Sequence, residues 1–172
     1  MTESKPEAWL RGSIEGYEPL LMPIVHALIQ AREDVEGLVA SVPAHLVWER
    51  PGAASIGFHV RHLGGALDRL LTYARGEALS EAQKAASREE ETPGTPAPTL
   101  QEIAGRVYAQ IEGALAQLRN TRSSDLQTVQ LVGRARIPVM KMGLLFHAAE
   151  HCTRHAGQAI TTARILSGAS SV

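Results

Sequence analysis

The stretch HAAEHCTRHAGQ, residues 147–158, contains histidines at 147, 151 and 155, each four residues from the next. It lies inside a longer segment, from Val139 to Leu166, whose composition and apolar spacing predict an α-helix. Residues four apart on a helix lie one turn apart and differ by about 40° around the axis. His151 and His155 can therefore share one metal ion, whereas His147 and His155 differ by about 80°.

Three other segments show the same helical periodicity. They run from Pro19 to Val42, from Ser55 to Arg75 and from Thr99 to Leu118. Ser55 is a candidate N-cap, and Thr99 with Glu102 three residues later forms a capping-box signature. The 172-residue chain is thus expected to form one all-α domain, residues 1–172, built as a four-helix bundle.

The connections between these helices differ in composition. A long loop is expected between the second and third helices, since TPGTPAPT from Thr92 is rich in turn residues, and SEAQKAASREEE from Ser80 is compatible with a short exposed helix. The stretch TVQLVGRARIP from Thr128 is expected to be extended, with a turn at Gly133. The last helix is expected to follow Pro138 and to end before Gly168.

Composition argues against several classes of partner. Seventeen basic and eighteen acidic residues give a net charge of −1, which offers no field to attract nucleic acid or an anionic membrane. No apolar run approaches the roughly 18 residues of a membrane span, and MTESKPEAW lacks the apolar stretch of a signal peptide. Cys152 is the only cysteine, which excludes an internal disulfide. We therefore expect a cytoplasmic protein without nucleic-acid or membrane partners.

A second histidine group lies in GFHVRHLGG, where His59 and His62 stand three residues apart on the second predicted helix. Buried imidazoles without partners are costly, and an ion shared between two helices removes that cost. Metal sites in bundles form from side chains on facing helices. The spacing alone leaves two interpretations open, metal ligands or ordinary polar residues. His26 and His45 have no partner in the sequence and are interpreted as structural or surface residues.

The chain resembles the DinB/YfiT-like superfamily of metalloenzymes. The resemblance rests on His62-Leu63 in the second predicted helix together with HxxxH and AGQ in the last. The resemblance spans roughly the whole chain, beginning at WLRGSIEGYEPLL. It implies a four-helix bundle of the DinB/YfiT-like type. It also implies that His62, His151 and His155 bind one divalent ion, zinc or nickel, with water completing the shell. Family members often carry a second histidine or an arginine where this chain has Ala156.

The resemblance implies a function as well, since some members of the superfamily are thiol S-transferases or isomerases that use low-molecular-weight thiols such as mycothiol or bacillithiol. We therefore expect a metal-dependent enzyme of the thiol S-transferase type that acts on a small molecule. The ion would bind the thiol and activate it as thiolate. A homodimer is the expected assembly. A metal-binding or stress-response bundle protein without catalysis is the alternative.

Charged residues near the histidines are candidates for contact with substrate. Glu150 is a candidate general base, with a solvated ion pair to Arg154 at i,i+4 as the alternative. Arg69, about two turns beyond His62, and Arg134, in GRAR before the last helix, are candidates for binding an anionic substrate or thiol. Each arginine has an alternative role, either in an ion pair with a neighbour or simply in contact with solvent.

Four further residues have assignments that depend on packing. His59 and His147 are expected either to support the metal site and line its pocket or to be buried and hydrogen-bonded. Gly157 is expected to permit close helix packing. Cys152 lies about 100° around the helix from His151, so it is expected to pack in the core and not to bind the ion.

Overall fold

The computed structural model describes residues 5–52 and 54–169, and most of these residues are helical. Within those ranges the chain forms five α-helices: α1 Met22–Ser41, α2 Ile56–Ala74, α3 Glu81–Arg88, α4 Leu100–Arg119 and α5 Lys141–Ala169. Between α4 and α5, β1 Val129–Val132 and β2 Ile137–Met140 pair as an antiparallel hairpin. The expected helical class is confirmed, and the expectation of a purely α-helical chain is corrected by the hairpin. None of the helices in these ranges combines the length and apolarity needed to cross a membrane.

The four long helices, α1, α2, α4 and α5, pack around a common apolar core. Both α1 and α2 contact α4 and α5, and the contact between α2 and α5 is the most extensive. Fully burying a Val, Leu or Ile side chain contributes about 1.5–3 kcal/mol, so this core supplies the main free energy that docks α2 against α5. The largest fully buried side chains come from all four helices or their ends: Leu21, Val25, Leu28, Val35, Ile56, Val60, Leu63, Leu67, Val107, Ile111, Leu118 and Leu145.

Capping side chains set the start of three helices. The Ser55 hydroxyl accepts a hydrogen bond from the backbone N–H three residues later, at the start of α2. At α4 the Thr99 hydroxyl accepts from the Glu102 N–H, and the Glu102 carboxylate accepts from the Thr99 N–H. Ser80 and Gln83 form the same reciprocal pair at α3. These bonds satisfy N–H groups that have no partner inside the helix.

The ends of the outer helices differ from the sequence-based expectation. Residues Pro19–Leu21, expected at the start of the first helix, form a 3-10 turn before α1, and Leu20 is 59% exposed. α5 begins at Lys141 because Pro138 pairs with Leu131 inside the hairpin. Its last turn runs through Gly168, since a single glycine weakens a helix without necessarily ending it.

The connection between α2 and α4 is not a continuous loop, because α3 occupies part of it. Gln83 on α3 donates from its amide to the Asp68 carboxylate and to the Thr72 hydroxyl of α2. These bonds hold α3 along the side of α2. The residues that follow α3 are thereby brought beside the histidines of α2.

Candidate metal centre

Three imidazoles meet where α2 faces α5. His62 comes from α2, His151 and His155 come from successive turns of α5, and their ligand nitrogens all lie within 4.8 Å of one another. The Nε2 atoms of His62 and His151 are 3.0 Å apart. The ring centroid of His155 lies 4.5 Å from each of the other two. Two nitrogens bound tetrahedrally to one zinc ion at about 2.0–2.1 Å stand about 3.3 Å apart, so the group has the spacing to hold one ion.

Burial favours the neutral form of the two α5 imidazoles. Loss of solvent, reinforced by the neighbouring His62, lowers the pKa of His151 to about 4 and that of His155 to about 3. A neutral imidazole offers the lone pair that a metal ion needs. Among the described residues, none forms a hydrogen bond with the buried Nδ1 atom of His151. An ion at Nε2 would bind the atom of this ring that faces His62 and would leave the surroundings of Nδ1 unchanged.

The group contains three imidazoles and, within the described part of the chain, neither a carboxylate nor a thiol. Cys152 is fully buried, and its Sγ contacts the backbone oxygen of Leu63 at 3.9 Å. Burial raises the pKa of this thiol to about 12, so it stays protonated in the core. Zinc prefers four ligands, so three imidazoles by themselves would leave one position for a further ligand.

His59 and Phe58 lie on the α2 side of the group. The Nδ1 atom of His59 is 3.1 Å from the Nδ1 atom of His155, and burial lowers the pKa of His59. When His155 donates its Nδ1 hydrogen to His59, its Nε2 atom is left free for an ion. The Phe58 ring stacks on His62, with centroids 5.3 Å apart.

His147 and Glu150 lie at the solvent edge of the group. The His147 side chain is 49% exposed, and its Nδ1 atom is 3.2 Å from the Glu150 carboxylate. Arg154 also donates to Glu150, with its Nε atom at 3.0 Å, and this hydrogen bond lowers the pKa of the carboxylate. The expected pair of Glu150 with Arg154 is therefore present. The role of Glu150 as a general base stays a prediction.

A carboxylate that no sequence pattern predicts, that of Glu90, contacts His62. This residue follows α3 and is 5% exposed, and its Oε2 atom is 2.6 Å from His62 Nδ1. Arg69 donates to both carboxylate oxygens. Burial alone would raise the pKa of Glu90, but the hydrogen bonds from His62 and Arg69 lower it below its ordinary value. Glu90 stands in a run of three glutamates, and nothing local distinguishes the buried one.

The two arginines proposed for anion binding lie in different surroundings. Arg69 is mostly buried and is paired with Glu90. Arg134 is exposed in the hairpin turn and lines a surface groove with Tyr73 and Lys84. Anion binding by either residue stays a prediction.

A cleft of about 470 Å³ opens beside the imidazoles, within the 300–1,000 Å³ range typical of small-molecule sites. Its walls are formed by side chains of α2, α3, the segment between them and α5: His62, Ala66, Arg69, Leu70, Tyr73, Leu79, Lys84, Ser87, His147 and His151. A small molecule can therefore approach the open side of the group.

Gly157 does not serve close packing, contrary to expectation. It is exposed, and a Cβ atom built there meets nothing within 4 Å.

The structure accounts for the other two histidines outside the cluster. His26 places its Nε2 atom 2.8 Å from the backbone oxygen of Gly12, and His45 is exposed.

Comparison with known proteins supports the fold and identifies the family. The structure resembles that of a conserved protein from Enterococcus faecalis, with 17% identity, a TM-score of 0.68, and coverage of 86% of this chain and 97% of that chain. It also resembles a DinB-like protein from Bacillus cereus, with 17% identity, a TM-score of 0.58, and coverage of 84% and 91%. No curated protein matches the chain. The model of the DinB superfamily matches residues 27–159, and the chain therefore belongs to the DinB superfamily.

Proposed function

We propose that the protein is a divalent-metal-dependent enzyme of the thiol S-transferase type that acts on a small molecule. His62, His151 and His155 hold the ion, with zinc or nickel as the metal. The observation that carries the proposal is a group of three imidazoles on facing helices, two of which, His62 and His151, line an open cleft. The proposal includes one domain over residues 1–172, a four-helix bundle of the DinB/YfiT-like type, a homodimer and a cytoplasmic location.

The residues around the cleft suit this chemistry. Three neutral imidazoles leave the double charge of the ion undiminished, and such an ion lowers the pKa of a bound water or thiol. His147 lines the cleft, and its Nε2 atom makes no hydrogen bond to the other described residues. This atom can exchange a proton with a substrate in the cleft. Glu150 accepts from Nδ1 of the same ring and so orients it.

A metal-binding protein without catalysis is the second candidate. His59 is the residue that would close the shell in that case, because its buried imidazole lies 3.1 Å from His155. A closed shell with four protein ligands is typical of structural metal sites, whereas catalytic sites keep one position open. The two candidates therefore differ in whether an exogenous ligand reaches the ion.

Cobalt substitution of protein prepared without a polyhistidine tag distinguishes these candidates. We expect one ion per chain by elemental analysis, and an intense sulfur-to-cobalt band when a low-molecular-weight thiol is titrated. Zinc- or nickel-loaded protein should then transfer the thiol to an electrophile, and His147→Ala should slow this transfer while preserving the cobalt band. A spectrum that no thiol or anion changes, but that His59→Ala alters strongly, would identify a closed site and contradict the enzyme proposal.

A further inference from the structure

We propose that Glu90 is a positioning residue for the metal centre. Its carboxylate holds His62 in the tautomer that carries hydrogen on Nδ1, and thereby leaves the Nε2 lone pair directed towards His151. The inference rests on the proposed metal site, but the claim about the tautomer applies to the protein without an ion as well.

The contact between Glu90 and His62 determines where the ring hydrogen lies. An ionised carboxylate only accepts hydrogen bonds, so the 2.6 Å contact requires hydrogen on Nδ1 of His62. In a neutral imidazole the other nitrogen then carries the lone pair. That nitrogen, Nε2, is the atom 3.0 Å from Nε2 of His151. The hydrogen bond thus selects the tautomer in which His62 can bind an ion.

Arg69 keeps the carboxylate ionised in a buried place. The side chains of Glu90 and Arg69 are only 6% and 15% exposed, and a buried charge without a partner is strongly unfavourable. The guanidinium binds both oxygens, so the carboxylate has no need to take up a proton. A protonated carboxyl group could donate to His62 and would not select the tautomer. Arg69 therefore acts on His62 through Glu90.

Two further features hold Glu90 against α2. A Cβ atom at Gly65 would collide with the Glu90 carboxylate, so the absence of a side chain at this position lets the carboxylate reach the helix. Arg61 donates to the backbone oxygens of Glu89 at 3.0 Å and of Thr92 at 2.7 Å, which fixes the segment that carries Glu90. The close contact between Glu90 and α2 therefore depends on two things. One is the free space at Gly65, and the other is the pair of hydrogen bonds that Arg61 donates to the segment carrying Glu90.

The substitution Glu90→Gln tests the inference with almost no change in shape. His62 Nδ1–H and Arg69 both donate, and the amide has only one oxygen to accept. We expect the guanidinium to take that oxygen, because a charged donor forms the stronger bond. The amide NH₂ then faces His62 Nδ1 and favours hydrogen on Nε2. The substitution should therefore invert the tautomer and block the ligand nitrogen.

The first measurement is the tautomer of His62 in metal-free protein, by ¹⁵N NMR at a pH where the ring is neutral. Wild type should carry hydrogen on Nδ1, and Glu90→Gln should carry it on Nε2. Zinc affinity, measured by competition with a chelator, should fall about 10- to 100-fold in this variant, as is common when the partner of a ligand histidine is lost. Glu89→Gln makes the same charge change at an exposed neighbour and should leave both measurements unchanged.

The double variant Glu90→Gln, Arg69→Met removes the competing donor. The amide oxygen is then free for His62, so the Nδ1 tautomer and most of the zinc affinity should return. A structural role for Glu90 predicts no such rescue. Hydrogen on Nε2 in wild-type protein, or unchanged tautomer and affinity in a folded Glu90→Gln, overturns the inference. Wild-type protein that shows the Nδ1 tautomer but binds no zinc instead contradicts the proposed function.

Discussion

The Nδ1 atoms of His59 and His155 lie 3.1 Å apart in a buried contact between α2 and α5. Two imidazolium ions at this separation would repel each other where little water is present to screen them. Burial, together with the nearby rings, lowers the pKa of both residues. Docking of α2 on α5 therefore favours neutral rings, and protonation of the rings opposes docking.

The metal-free protein should lose stability in mild acid. The pKa of His151 falls to about 4 and that of His155 to about 3 in the folded state, whereas unfolded histidine titrates near pH 6.5. Between these values the unfolded chain binds more protons, so the free energy of unfolding decreases as the pH falls from 7 towards 4. Thermal unfolding at pH 7.5, 6 and 5 measures this decline. In the double variant His151→Gln, His155→Gln, stability should fall less steeply with decreasing pH. An equally steep fall would contradict the claim that these two histidines cause it.

Removal of any one of the three imidazoles should abolish tight metal binding. We expect His62→Ala, His151→Ala and His155→Ala to reduce metal content from one ion per chain to near background, because two ligands hold an ion far less tightly than three. His45→Ala is the matched control, since His45 is exposed and lies outside the group. Elemental analysis after dialysis gives the stoichiometry. Full retention of metal by His62→Ala would show that the ligand set is wrong.

The helical fold should survive without metal. The core that docks the four long helices is apolar and includes none of the three imidazoles. Far-ultraviolet circular dichroism after chelation should therefore retain most of the helical signal at room temperature. Added zinc at about 100 times its dissociation constant should stabilise the fold by about 2.7 kcal/mol. Loss of most of the signal on chelation would instead indicate a structural metal.

A glycine-to-alanine pair tests how closely Glu90 approaches α2. A Cβ atom at Gly65 would collide with the carboxylate, so Gly65→Ala should destabilise the protein by about 1–3 kcal/mol and weaken zinc binding. At Gly105, on α4, a Cβ atom meets nothing within 4 Å. Gly105→Ala should therefore stabilise the protein by up to about 1 kcal/mol through helix propensity. Chemical denaturation measures the change in the free energy of unfolding for both variants. Equal changes would rule out the close contact between the Glu90 carboxylate and α2.

Local features of the fold are predictable from the sequence because their physics is local. Ser55 and Thr99 cap helices through bonds to residues three positions away, and both positions are recognisable in the sequence. The HxxxH spacing likewise places His151 and His155 on one helix face. The meeting of these two residues with His62 depends on how two helices face each other. Only the resemblance to a family predicts that step.

The features that the sequence did not reveal depend on contacts between distant segments. Glu90 is one of three consecutive glutamates, and its contacts with His62 and Arg69, together with the space at Gly65, select it for burial. Pro138 is compatible with a helix start, but pairing of β2 with β1 places it in a strand. In both cases a local pattern allows several outcomes, and a tertiary contact selects one of them.

The imidazoles of His62 and His151 come from positions 89 residues apart in the chain. Closing a loop of that length costs chain entropy. Apolar contacts between α2 and α5 must offset this cost before the His62 nitrogen can lie beside those of His151 and His155. A folding intermediate with formed helices but undocked α2 therefore offers an ion only the pair on α5. With the proposed ligand set, tight binding would require the two helices to be docked, and metal uptake would then report completion of folding.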